Sequence, residues 1–134
     1  MGTKYHLAVT RDGLPVACAA TGANVNDTVL FGRLFRVALA VLGRVSTAYA
    51  DRGYDAESHR ALCHRHGVRP RIGRRNTGHG SGLGRRRWPV ERTHAWLLEN
   101  KRLGLRYDRK DIIVEALLNT ACLLMVVPRF AREL

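Results

Sequence analysis

The sequence predicts an α/β domain in which a mixed sheet is layered between helices. Three observations predict it. The chain opens with two strand-like segments around a tight turn, short apolar strands then alternate with helical patterns, and two long helical patterns follow a Gly/Arg-rich loop at residues 73–87. The resulting order, β-β-α-β-α-β-loop-α-α, belongs to layered α/β architectures. At 134 residues and 46% hydrophobic content, the chain fits a single domain spanning residues 1–134 with a real core.

Residues 4–10 (KYHLAVT) mix β-branched and aromatic side chains and read as a strand. Arg11-Asp12-Gly13 signals a tight turn, and residues 15–21 (PVACAAT) read as the returning strand. After a loop at 22–26, Asn26 or Asp27 caps a helix over 28–42. Its expected apolar face is Leu30, Leu34, Val37, Ala38 and Val41, and Gly43 ends it. Residues 45–50 (VSTAYA) form a short apolar segment that stops at Asp51. A helix over 56–66 closes at Gly67, and residues 68–72 (VRPRI) read as an edge strand because Pro70 cannot donate to a ladder. Two helices are expected at 89–103 and 111–127, the first with Pro89 at its opening position, where no N–H is needed.

Lys plus Arg total 23 against 11 acids, a net charge of +12 that points to a polyanion, most often nucleic acid. Cys18, Cys63 and Cys122 form no C-x-x-C pair, which suits a reducing cytoplasm and supplies no zinc framework. Cys63, His64 and His66 crowd one helix end, a poor arrangement for closing a tetrahedral site. The start MGTKYHLAV lacks a signal-peptide pattern. The apolar run 112–127 is broken by Glu115 and Asn119 and reads as a buried helix, not a membrane span.

Two carboxylates stand out. Asp51 follows an apolar strand, where open α/β sheets present ligand-binding groups. Glu91 lies beside the stripe Val90, His94, Leu97 and Leu98. It reads either as helix N-terminal charge with an Arg partner or as a metal ligand facing nucleic acid. Hard divalent cations need clustered oxygen donors, but this pair alone is a weak signal. Arg69, Arg71, Arg74, Arg75, Arg85, Arg86 and Arg87 surround the Gly-rich loop and read as phosphate contacts against the alternative of a solvated basic loop. Gly78, Gly80, Gly82 and Gly84 do not make a dinucleotide fingerprint, for want of the right spacing and a βαβ unit. Arg92 reads as a salt-bridge or DNA-backbone group, Trp88 and Trp96 as packing residues, His94 as semi-buried, and Asp27 as a helix cap.

Five blocks now fall in order: GTKYHLAV (2–9), GANVND (22–27), YADRGYD (49–55), HGSGLGRRRWPVERTHAWL (79–97) and LRYDR (105–109). Together they resemble the C-terminal part of an insertion-sequence DDE transposase of the IS-five type. The resemblance implies a ribonuclease H-like, retroviral-integrase-like core, with a mixed sheet flanked by helices. It implies Mg²⁺ or Mn²⁺ as cofactor, and transposon ends and target DNA as partners. Asp51 would be the second catalytic aspartate and Glu91 the catalytic glutamate, both metal ligands. A first catalytic aspartate is expected on a strand before the hairpin. No aspartate precedes Asp12, which lies in the hairpin turn, so the sheet is expected to lack its first central strand. The chain then reads as the downstream half of a split cytoplasmic transposase, completed by an upstream half and inactive alone, with homo-oligomers allowed. The alternative is a non-catalytic DNA-binding remnant or regulator of transposition.

Overall fold

A computed structural model describes residues 2–76, 83–99, 101–104 and 110–133. The elements run β1 (Thr3–Val9), β2 (Pro15–Gly22), α1 (Thr28–Leu42), β3 (Thr47–Ala50), a 3₁₀ turn (Arg52–Tyr54), α2 (Glu57–Arg65), β4 (Arg69–Ile72), α3 (Leu83–Leu98), α4 (Lys101–Gly104) and α5 (Asp111–Glu133). They gather into two compact units, one of residues 1–25 with 89–134, the other of residues 26–88.

In the first unit β1 and β2 pair antiparallel, from Thr3↔Gly22 to Val9↔Pro15. The expected turn forms. Gly13 takes a positive φ of 82°, Gly13 N donates to Thr10 O at 2.9 Å, and Thr10 Oγ1 accepts from Leu14 N at 3.1 Å. A side chain at Gly13 would be strained and would also meet the Arg92 guanidinium. One face of the hairpin, carrying Tyr5, Leu7, Cys18 and Ala20, packs on a core of Leu97, Leu103, Leu118, Ala121 and Cys122. Thr93 is fully buried, its hydroxyl reaching Gly13 O at 2.7 Å and Pro89 O at 3.0 Å. The Tyr5 hydroxyl donates to Leu103 O at 2.9 Å, tying the strand to α4.

The second unit is a β3–α2–β4 crossover with α1 against it. The strands pair in parallel, Thr47↔Arg69 through Ala50↔Ile72, a pairing that requires an intervening crossover. Phe31, Phe35, Leu62, Cys63, Val68 and Ile72 form the core, with Tyr54 packed against it. The Phe31 and Phe35 rings stack at 5.8 Å. Gly43 closes α1 with φ 72° and an N–H donated to Leu39 O.

Several expectations change. The described strands make two two-stranded sheets, not one mixed sheet. The buried face of α1 is Phe31, Leu34 and Phe35, while Val37 and Val41 are exposed. Burying two aromatic rings removes more apolar area from water than burying two valines, so the helix turns its aromatic side inward. Within the expected 73–87 loop, α3 already begins at Leu83, which leaves Pro89 inside the helix. Arginines favour helix, and Pro89 withholds only the bond to the carbonyl of Arg85, an exposed residue. The helical pattern over 89–103 is split into α3 and α4. The last helix continues through Pro128 to Glu133, and it is not buried all round: Leu123, Leu124, Val127 and Phe130 are more than half exposed. Gly78, Gly80, Gly82 and the 105–109 block lie outside the described residues.

Candidate active site

Asp51 sits where the sequence placed it, directly after β3 in the parallel pair. It caps the 3₁₀ turn, with Asp51 Oδ1 accepting from Gly53 N at 2.8 Å. This is the short-range hydrogen bond that Asp makes readily to the backbone two residues on.

A second carboxylate meets it. Asp27 occupies the cap position of α1 but makes no cap hydrogen bond. Asn26 does that work, its Oδ1 accepting from both the N–H and the hydroxyl of Thr28 at 3.1 Å. The Asp27 carboxylate instead lies over Gly53. A Cβ on Gly53 would stand 2.6 Å from Asp27 Oδ2 and 2.9 Å from Asp51 Oδ1. Glycine is what lets the two acids converge here. Tyr54 packs beside them against the Phe31 ring. Burial, and then the Asp27 and Asp51 charges, push its hydroxyl well above the usual tyrosine range. It therefore stays protonated, a neutral group beside two anions.

The turn is braced from α2 and β4. The Asp55 carboxyl accepts from the Arg75 backbone N–H at 2.8 Å and pairs with Arg60 at 2.6 Å. These contacts, the backbone donor foremost, hold it below the usual carboxylate range. Arg60 also donates to Ile72 O, and Arg75 reaches the carbonyls of Arg52 and Gly53. Arg74 pairs with Glu57 at 3.2 Å. Arg74 and Arg75, expected at phosphate, thus have structural partners next to Asp51. Asp55 was visible in the YADRGYD block, but nothing local to the sequence marks Arg60 or Arg75 as its partners.

Arg69 and Arg71 are exposed on β4 and Arg85 is exposed on α3. The side chains of Arg86, Arg87 and Trp88 lie outside the described residues. In the first unit Glu91 is exposed on α3. Among the described side chains of this helix, Thr93 and Leu97 are buried, while Leu98 is half exposed. Arg92 donates to Asp12 O at 2.8 Å and lies 5.0 Å from the Trp96 ring centre, so Trp96 stacks at the surface and is not buried. His94 is half-buried, and burial, with His6 nearby, lowers its pKa. Among the described residues no group of three or more His, Cys, Asp or Glu side chains is gathered for a metal. His66 packs on the Phe35 ring and Cys63 is buried, its thiol pushed up by burial. Asp51 and Glu91 belong to different units.

An acid at the end of a parallel strand, joined by a second carboxylate over a glycine, is an oxygen-donor arrangement suited to a hard cation. Comparison with known families agrees in class. A family model described as "Transposase DDE domain" matches residues 1–126, and the chain belongs to that family. It is 43% identical over 131 residues to the "Putative transposase for insertion sequence element IS402" of Burkholderia cepacia. That alignment covers 92% of this chain and 62% of the relative, so the chain spans under two thirds of the relative's length. No solved structure matches.

Proposed function

We propose that the chain supplies the downstream part of the catalytic domain of an IS-five-type insertion-sequence transposase, with a ribonuclease H-like core. Asp51 is its second catalytic acid and Glu91 its third. The observation that carries this reading is the position of Asp51. It stands at a parallel strand end, fixed by Gly53 N–H and approached by the Asp27 carboxylate. Asp51 and Glu91 would hold Mg²⁺ or Mn²⁺. When bound, such an ion lowers the pKa of a hydroxyl nucleophile and offsets charge on the phosphate under attack. The chain's own residues do the rest. Asp51 presents a carboxylate whose orientation is fixed by the Gly53 N–H, Tyr54 packs beside it without adding charge, and Arg60 and Arg75 keep the turn in place. Exposed Arg69, Arg71 and Arg85 meet the DNA backbone without reading sequence.

The test joins the chain to an upstream transposase segment that carries a first aspartate. Terminal-repeat DNA is then incubated with Mg²⁺ or Mn²⁺. Strand cleavage that EDTA abolishes is expected, and absence of cleavage with either ion overturns the proposal. The net charge of +12 favours a second reading, a non-catalytic DNA-binding regulator. That reading expects salt-sensitive DNA binding with no cleavage in the joined protein.

Gly53→Ala probes the acid pair directly. The new methyl would displace the Asp27 or Asp51 carboxylate. Displacement of a reacting group by about 1 Å costs on the order of 100-fold in rate. Cleavage by the joined protein is therefore expected to fall by about that factor. Full activity in the variant would show that the carboxylate positions do not matter.

A further inference from the structure

Cys18 and Cys122, far apart along the chain, meet inside the first unit. Strand alternation turns Cys18 and Ala20 of β2 to the face that packs on the core containing Cys122. On α5, Asn119 and Cys122 stand three residues apart and share one side of the helix. The Cys18 thiol donates to Asn119 Oδ1 at 3.1 Å, and the Cys122 thiol is hydrogen-bonded to Cys18. Asn119 is held in turn, its Nδ2 donating to Glu115 O at 2.9 Å. These contacts set two sulfurs side by side. Both are free thiols, Cys18 half-buried and Cys122 buried. A buried free cysteine ordinarily serves as a small apolar residue. A second thiol in contact with it, and reachable from solvent, adds a chemistry that packing does not need.

We infer that Cys18 and Cys122 form a disulfide when the chain meets a peroxide, and that this bond clamps β2 to α5. Cys18, the more exposed thiol, reacts first. Its sulfur attacks the peroxide, the O–O bond breaks, an S–O bond forms and one water leaves, so Cys18 becomes a sulfenic acid. The Cys122 sulfur then attacks the Cys18 sulfur. An S–S bond forms, the S–O bond breaks, and the hydroxyl leaves as a second water with the Cys122 proton. Two thiols have given up two electrons and two protons, and one hydrogen peroxide has become two waters. The surroundings set that order. The hydrogen bond to Cys18, and then burial, hold the Cys122 thiol above its usual range, so it is not the first to ionise and react. In a reducing compartment the pair rests as thiols, since disulfides there are transient. The bond closes a loop of roughly 100 residues, and long loops restrict the unfolded chain most. The inference uses no residue of the catalytic assignment.

Peptide mapping of the full chain after mild hydrogen peroxide treatment tests it, beside a sample kept in dithiothreitol. Material that runs as a single chain on a non-reducing gel should yield a linked peptide pair containing Cys18 and Cys122, lost on reduction. Cys63, buried in the second unit's core, should still be alkylated once the chain is denatured. The oxidised chain should melt at least about 5 °C above the reduced one. Cys18→Ser should abolish both the linkage and the shift. Should that variant fold poorly, the map of the parent chain still decides. Oxygenated Cys18 without a link, links that include Cys63, links only between copies, or a link with no rise in melting temperature would each overturn the inference.

Discussion

Asp51→Asn in the joined protein is expected to cut metal-dependent DNA cleavage by more than about 100-fold, since even outer-shell changes at metal sites cost 10- to 100-fold. The substitution changes little else. Asparagine keeps an Oδ1 that can accept from Gly53 N, the contact that shapes the 3₁₀ turn. The bracing of that turn through Asp55, Arg60 and Arg75 is untouched. What disappears is one negative charge at the β3 end and the ability to bind a hard cation strongly. DNA affinity should therefore hold or rise slightly, since an anion has been removed from a basic surface. Asp27→Asn removes a charge from the same spot without touching the Gly53 N–H bond, and a smaller loss is expected. Cleavage assays paired with DNA-binding titrations separate these effects. Cleavage within about threefold of the parent for Asp51→Asn would remove Asp51 from the catalytic set.

The position of Asp51 was legible because a strand end is marked by where apolar residues stop. The bounds of α1 were legible for a similar reason: Asn26 and Gly43 are local signals with local mechanisms, a side-chain cap and a positive φ. Asp27 was read as a second cap, but one acceptor at that end suffices. Only the three-dimensional path of the chain brings the Asp27 carboxylate over Gly53. The inward face of α1 was missed because periodicity alone admits two neighbouring stripes, and the aromatic one wins by buried area. Pro89 was read as a helix start and the last helix as ending at 127, yet Pro89 and Pro128 both lie inside helices. A proline removes one hydrogen bond, a loss the surrounding helix absorbs where its outer side meets water. Hydrophobicity alone made α5 a buried helix. The count of apolar residues on it exceeds what the hairpin and the α3–α4 segment cover, and no sequence pattern states how much partner surface a fold provides.

The covered face of α5 carries the second large effect. Leu118 is fully buried, between the β1–β2 hairpin and the side chains of Leu97, Leu103, Ala121 and Cys122. Leu118→Ala should destabilise the chain by about 3 kcal/mol, within the range of about 2–5 kcal/mol for buried leucine truncations. The upper part of that range applies where neighbours cannot collapse into the space. Here one wall is a hydrogen-bonded strand pair and the other a helix held by Thr93 to the hairpin turn, so collapse is restricted. Leu118→Met, close in volume, should cost less than about 1.5 kcal/mol. Leu124→Ala, on the same helix but mostly exposed, should stay within about 0.5 kcal/mol in the monomer. Urea titrations followed by circular dichroism measure all three. Equal shifts for Leu118→Ala and Leu124→Ala would mean that the hairpin does not pack on α5 as described, and the first unit would then have no core to lose.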